Sequence, residues 1–268
     1  GAGGVGAGAG ARAIAPGAEH ADVGFPGELS HRELLEHARR QLAERGMEDV
    51  LIVDTDFHVN EQSYWAELLE RLDDEVLAHM LTVNGSRVAG AGRIWLPANI
   101  DLVGMQEAAG RMRSETAWGD ARAASGMPGS AGDVELVREG MEMMGSSCVS
   151  LFPDVLLGLG VNRFPEIEPA IARAHARLMT ESFFAADERI RGMLYLPWSD
   201  PDACLEIVEE FGDRPGVAGF MITSVRYEAT ASRPYMKVYR ALDERGATLG
   251  FHSAFDYYDR STAMFNNF

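Results

Sequence analysis

The sequence predicts an α/β fold of parallel strands covered by helices, and three observations carry that prediction. From residue 146 onward, apolar runs of strand length alternate with amphipathic helical segments at about the spacing of βα units, which demands parallel strands joined by helical crossovers. The apolar run that opens at Leu51 turns polar only at its carboxyl end, as a strand buried on both faces does. A chain of 268 residues, 46% hydrophobic and 24% charged, is long and apolar enough to bury a sizeable core.

The elements follow in order. Residues 1–25 open with GAGGVGAGAGARAIAPGAEH, which lacks the basic and Leu-rich regions of a secretion signal and whose Gly/Ala bias buries no core. A flexible arm is expected there, with His20 in it. GELSHRELLEHARRQLAERGMED sets Leu34, Leu35, Ala38 and Leu42 on one side, with Ser30 as N-cap and Gly46 as stop, so a short amphipathic helix is expected. His31 and His37 fall on or beside its polar face.

A strand over 51–58 follows, then a helix over 63–81 that carries His79, then an irregular insertion over about 82–145. Within that insertion 105–125 reads as helical and GMPGSAGD as a loop leading into a helix start. The repeating part comes next. SSCVSLFP (146–153), IRGMLYLPW (190–198), VAGFMITSV (217–225) and ATLGFHSAF (247–255) read as strands. EIEPAIARAHARLMTESFFAAD (166–187), DPDACLEIVEEFG (200–212) and PYMKVYRALDERG (234–246) read as the helices between them, the second with Asp200 as N-cap and Pro201 at its first position.

The count is five strands with four helical regions between them. A closed (β/α)8 barrel needs eight strands and roughly 250 residues. The pattern therefore fits either an open five-stranded sheet or the N-terminal part of such a barrel.

Charge and cysteine usage bound the partners. A formal net charge of -17 repels phosphate backbones and anionic headgroups, so neither nucleic acid nor a membrane surface is expected as a partner. No apolar run approaches the ~18 residues of a membrane span. Two cysteines, Cys148 and Cys204, make no disulfide framework, and a reducing, cytoplasmic setting is expected.

The residues able to do chemistry cluster at strand ends. In VDTDFHVNE, two-residue alternation puts Asp54, Asp56 and His58 on one side of the strand, with Asp56 and His58 nearest the carboxyl end, where α/β proteins place their sites. A carboxylate and an imidazole two positions apart can grip one cation. The same residues also suit an acidic strand end that is merely solvated. His252 in LGFHSAFD repeats the placement, and Gly250 and Ser253 leave room around it.

Weaker candidates are Arg226, suited either to a substrate carboxylate or to a surface pair with Glu228, and Trp198, placed to wall a pocket. Glu61 suits a turn cap or a ligand contact, while His175 lies on a helix and reads as structural. GAGGVGAGAG has glycines at dinucleotide-fold spacing, but no strand precedes it and no acid follows at the right distance.

Taken in order, VDTDFHVNE, ERIRGMLYLPWSDPDACLEIVEEF, GVAGFMITS and YRALDERGATLGFHSAFD resemble the amidohydrolase superfamily, in its branch around aminocarboxymuconate-semialdehyde decarboxylase. The resemblance runs from about Val50 onward and omits much of 81–146. It implies a metal-dependent (β/α)8 TIM barrel, here only its N-terminal part of about five strands, with an insertion after the first. It further implies that Asp56 and His58 stand where the family's first strand offers two ligands, and that His252 stands for the fifth-strand histidine. Asp56 departs from the family's usual His or Glu. The family's catalytic histidine after strand six and its last aspartate ligand after strand eight have no counterpart, since Asp256 and Asp259 follow strand five; no catalytic residue is assigned.

The implied cofactor is one divalent ion, with Zn2+ suiting histidine and carboxylate together better than Mn2+. The implied chemistry is decarboxylation of a small aromatic or unsaturated carboxylic acid, or hydrolysis of a small cyclic substrate. The alternative is a catalytically incomplete barrel fragment that acts only with a partner chain. Open first and fifth strands would favour a homo-oligomer.

Overall fold

The computed structural model describes residues 31–47, 49–59, 61–85, 129–162, 164, 166–224 and 226–253. The expected arm, the helical reading of 105–125, and Asp256 and Asp259 lie outside the described residues.

Helix α1 (His31–Glu44) precedes strand β1 (Val53–Val59). The single helix expected over 63–81 is instead a 3-10 turn (Glu61–Tyr64), a short α2 (Trp65–Leu69) and a separate α3 (Glu75–Gly85). Asp74 makes the break: its Oδ1 accepts the N–H groups of Val76 (2.9 Å) and Leu77 (3.0 Å), starting α3 afresh. Helix α4 (Gly129–Met144) extends well beyond the expected helix start and leads into β2 (Cys148–Pro153).

A 3-10 segment (Val155–Val161) then precedes α5 (Ile167–Leu178), which continues through a π-helical turn (Met179–Phe183) into α6 (Phe184–Ala186). Strand β3 (Ile190–Tyr195), α7 (Pro201–Phe211), β4 (Val217–Thr223), α8 (Met236–Arg245) and β5 (Thr248–His252) complete the described chain. Asp200 caps α7 as expected, accepting the Asp202 and Ala203 N–H groups at 2.8 and 3.1 Å. Gly246, with φ 60°, supplies the left-handed residue that stops α8.

The five strands form one parallel sheet in the order β1-β2-β3-β4-β5. A doubly wound sheet reverses its order at a switch point, whereas this one adds each new strand on the same side. With right-handed crossovers, sequential addition sets every covering helix on one face. That helix-covered face holds the core: Val149, Leu151, Ile190, Leu194, Phe220 and Ile222 are all buried. Full burial of such a side chain contributes about 1.5–3 kcal/mol.

At ~4.8 Å per strand pair, a flat sheet would hold its first and fifth strands roughly 19 Å apart. The rings of His58 on β1 and His252 on β5 have centroids 5.0 Å apart. The sheet is curled into an arc, concave on the face away from the helices. The architecture is therefore α/β and compatible with part of a barrel. No described helix is long and apolar enough to cross a membrane.

Candidate functional site

Cα register fixes which side chains meet at the carboxyl mouth of the arc. His58 is opposite Phe152, and Thr223 is opposite His252, so these four share the concave face at the ends of β1, β2, β4 and β5. The Phe152 ring packs against His252 at 5.1 Å and lies 6.2 Å from His58. Gly250, expected to leave space near His252, gives that space to Met193, whose Cε would lie 3.2 Å from an added Cβ.

The structure brings Asp56, His58 and His252 together. Asp56 Oδ1 lies 3.3 Å from His58 Nε2 and 3.1 Å from His252 Nε2. The three ligand-capable atoms all fall within 4.8 Å of one another. The Asp56 side chain is 67% exposed, that of His58 31% and that of His252 13%, so the cluster is open at Asp56 and His58 and covered at His252.

Hydrogen bonds fix both rings. His58 Nδ1–H donates to the Pro153 carbonyl at 2.9 Å, and His252 Nδ1–H to the Ser253 carbonyl at 2.6 Å. In that tautomer each neutral ring turns a lone pair on Nε2 toward the Asp56 oxygen. The same three atoms fit either a divalent cation held among them or ion pairs from the two rings to Asp56.

Asp54 is not in this set, contrary to simple alternation. The β1 register slips between Asp54 and Phe57, which are opposite Val149 and Leu151 respectively, so three steps on β1 span two on β2. Such a bulge breaks the period of two. Asp54 Oδ1 instead accepts the Asp56 N–H at 3.1 Å.

Arg226 and Trp198 are not members of the cluster. Arg226 is buried rather than on the surface, and its Nη1 donates to the Thr223 carbonyl on the strand end that holds the register partner of His252. Burial pushes its guanidinium below the ordinary value. Trp198 is packed in the core, its indole stacked on Tyr235 at 4.1 Å and 12°, while the Tyr235 hydroxyl donates to the Trp198 carbonyl.

Three buried polar groups lie near the strand ends. Glu61 is fully buried, and its carboxylate accepts the Asp154 N–H at 3.0 and 3.3 Å. His175 is buried with no hydrogen-bond partner for either ring nitrogen among the described residues, and desolvation pulls it down to about 4. Glu168, unnoticed in the sequence because an acid in a helix's first turn is ordinary, accepts the Tyr195 hydroxyl at 2.6 Å and the Ser199 N–H at 3.2 Å. Burial outweighs those bonds and raises its carboxyl to about 7.

A scan of the sequence against protein-family models and a search of the curated proteins both find no match.

Proposed function

We propose that the chain carries part of the metal site of a (β/α)8-type enzyme of the amidohydrolase kind, acting on a small carboxylated or cyclic substrate by decarboxylation or hydrolysis. The observation that supports this most is the convergence of Asp56, His58 and His252 from the first and fifth strands, with both Nδ1–H groups tied to carbonyls. The sequential strand order is compatible with a barrel that three further strands would close.

Two imidazoles and one carboxylate suit Zn2+ better than Mn2+, which favours more oxygen. When bound, a divalent ion supplies positive charge that polarises a substrate carboxylate or carbonyl. The chain's own groups do the rest. Asp56 leaves the mouth open to solvent, Phe152 gives an apolar wall beside His252, and Arg226, buried three residues past β4, would be the guanidinium that meets a substrate carboxylate.

A second reading, a barrel part that works only in association with another chain or a second copy, is favoured by apolar exposure on both end strands. Val53 and Phe251 are 44% and 64% exposed, and Leu51, just ahead of β1, is 70% exposed. Sheet edges left unpaired among the described residues, as these are, favour association.

Chelator competition with Zn2+ on the wild type, Asp56→Asn and His252→Ala tests the site. One tightly held ion in the wild type, weakened at least about tenfold by either substitution, is the expected result. A wild type that holds no stoichiometric metal refutes the enzyme reading for this chain. A monomer in sizing chromatography counts against the associating one.

A further inference from the structure

The peptide unit between Pro153 and Asp154 is gripped at both ends. Its carbonyl accepts the Nδ1–H of His58 at 2.9 Å, and its N–H donates to both oxygens of Glu61 at 3.0 and 3.3 Å. The described chain has no cis peptide bond, so carbonyl and N–H point to opposite sides of this unit. Glu61 and His58 therefore lie on opposite flanks of one flat amide, joined in a single line: carboxylate, N–H, carbonyl, imidazole.

From this juxtaposition we propose that Glu61 is a positioning residue for the metal site, acting on His58 through the Pro153–Asp154 peptide; the proposal rests on the metal-site reading above. A carboxylate drawing on the amide N–H shifts electron density toward the amide oxygen, making that oxygen a stronger acceptor. A stronger acceptor holds the His58 proton on Nδ1 and leaves Nε2 as the lone-pair atom facing Asp56. Hydrogen bonds in a chain reinforce one another in this way, most where water is excluded, and Glu61 is fully buried.

The device resembles in outcome the carboxylate that commonly orients a ligating histidine, with a backbone amide interposed between the two. Local geometry explains why a peptide is needed. Glu61 begins the 3-10 turn just past β1, and β2 ends at Pro153, the register partner of Val59. The carboxylate thus reaches across to the neighbouring strand's end, and that strand's last carbonyl reaches back to His58. A substitution at Glu61 touches no atom of the cluster, yet it alters the acceptor that sets its tautomer.

Glu61→Gln separates this role from simple space filling. Glutamine keeps the shape but places an NH2 donor where one of the two accepting oxygens stood, and its remaining oxygen is a weaker acceptor than a carboxylate. The expected result is a Zn2+ affinity lower by about tenfold or more in chelator competition, the usual size of outer-shell effects. It is accompanied by an upfield move of the His58 Nδ1–H proton resonance in the zinc-loaded protein.

A wild-type measurement covers the case in which the variant does not fold. Adding Zn2+ makes the ligating imidazole a stronger donor, so the Asp154 amide proton moves downfield more than those of Val155 and Leu156. Equal zinc affinity with an unmoved Nδ1–H signal in Glu61→Gln overturns the inference and leaves the metal site standing. An Asp154 amide that does not respond to zinc overturns it equally. A wild type that binds no zinc removes the metal site and the inference together.

Discussion

Replacing Glu168 by glutamine should make the protein more stable in neutral and alkaline solution while costing about 1 kcal/mol in acid. In the folded chain the Glu168 carboxyl titrates at about 7, against an ordinary 4.5, because burial penalises its charged form more than the Tyr195 and Ser199 hydrogen bonds favour it. Between those two values the folded state binds more protons than the unfolded one, so this group's contribution falls as pH rises. At ~1.4 kcal/mol for each tenfold change, the whole window is worth about 3 kcal/mol.

His175 acts in the opposite sense. Desolvation alone pulls it from 6.5 to about 4, so the unfolded state binds more protons there and stability falls as pH drops through that range. The two slopes oppose each other between 4.5 and 6.5, and the wild-type profile alone conceals both. The difference between wild type and Glu168→Gln isolates the first, since His175 and the surface charge are common to both proteins.

Urea unfolding at pH 4.5 and 7.5 gives the assay. An offset of about 1 kcal/mol against the variant is expected at the lower pH, for the hydrogen bond an amide makes less well. The balance should then move by about 3 kcal/mol in the variant's favour at the higher pH. A stability difference that stays constant across the range refutes the assignment of a raised carboxyl at Glu168.

His175→Met should lose the acid slope between pH 6.5 and about 4, measured by the same unfolding series against wild type, because no buried imidazole is then left to be charged on unfolding. Gly192→Ala should cost about 1–3 kcal/mol by overpacking. An added Cβ would lie 2.7 Å from Phe184 Cζ and 2.9 Å from the Leu151 carbonyl oxygen, and a smaller residue at Phe184 should recover part of that loss in thermal unfolding.

The βα alternation was legible because each crossover helix carries a regular apolar face, and all five strands lie where alternation places them. Boundaries drifted where tertiary contacts intervened. Asp74 restarts a helix that periodicity runs straight through, and the Thr180 hydroxyl, donating to the Ala176 carbonyl at 2.8 Å, accompanies the π-helical turn after α5. Strand order carries no local signature, and only the structure gives the unbroken sequence from β1 to β5.

The grouping of Asp56, His58 and His252 was anticipated from two strand ends, whereas Asp54 was assigned to the same side because a bulge leaves no mark in the residues around it. Polarity alone leaves Arg226 open between a substrate carboxylate and a surface pair, and Glu61 between a turn cap and a ligand contact, and it gives no sign that both are buried. Burial of polar side chains depends on which loops fold over them, which hydropathy does not encode.

The Asp56 carboxylate stands beside a histidine 196 positions away in the chain, and those two residues belong to the outermost strands of the arc. A ligand gripped there acts as a clasp on the whole curved sheet. Opening the arc and releasing the ligand become one event, and a ligand at a hundred times its dissociation constant would add about 2.7 kcal/mol against that opening. On the metal reading proposed above, the curvature of the sheet would follow how much metal its surroundings supply.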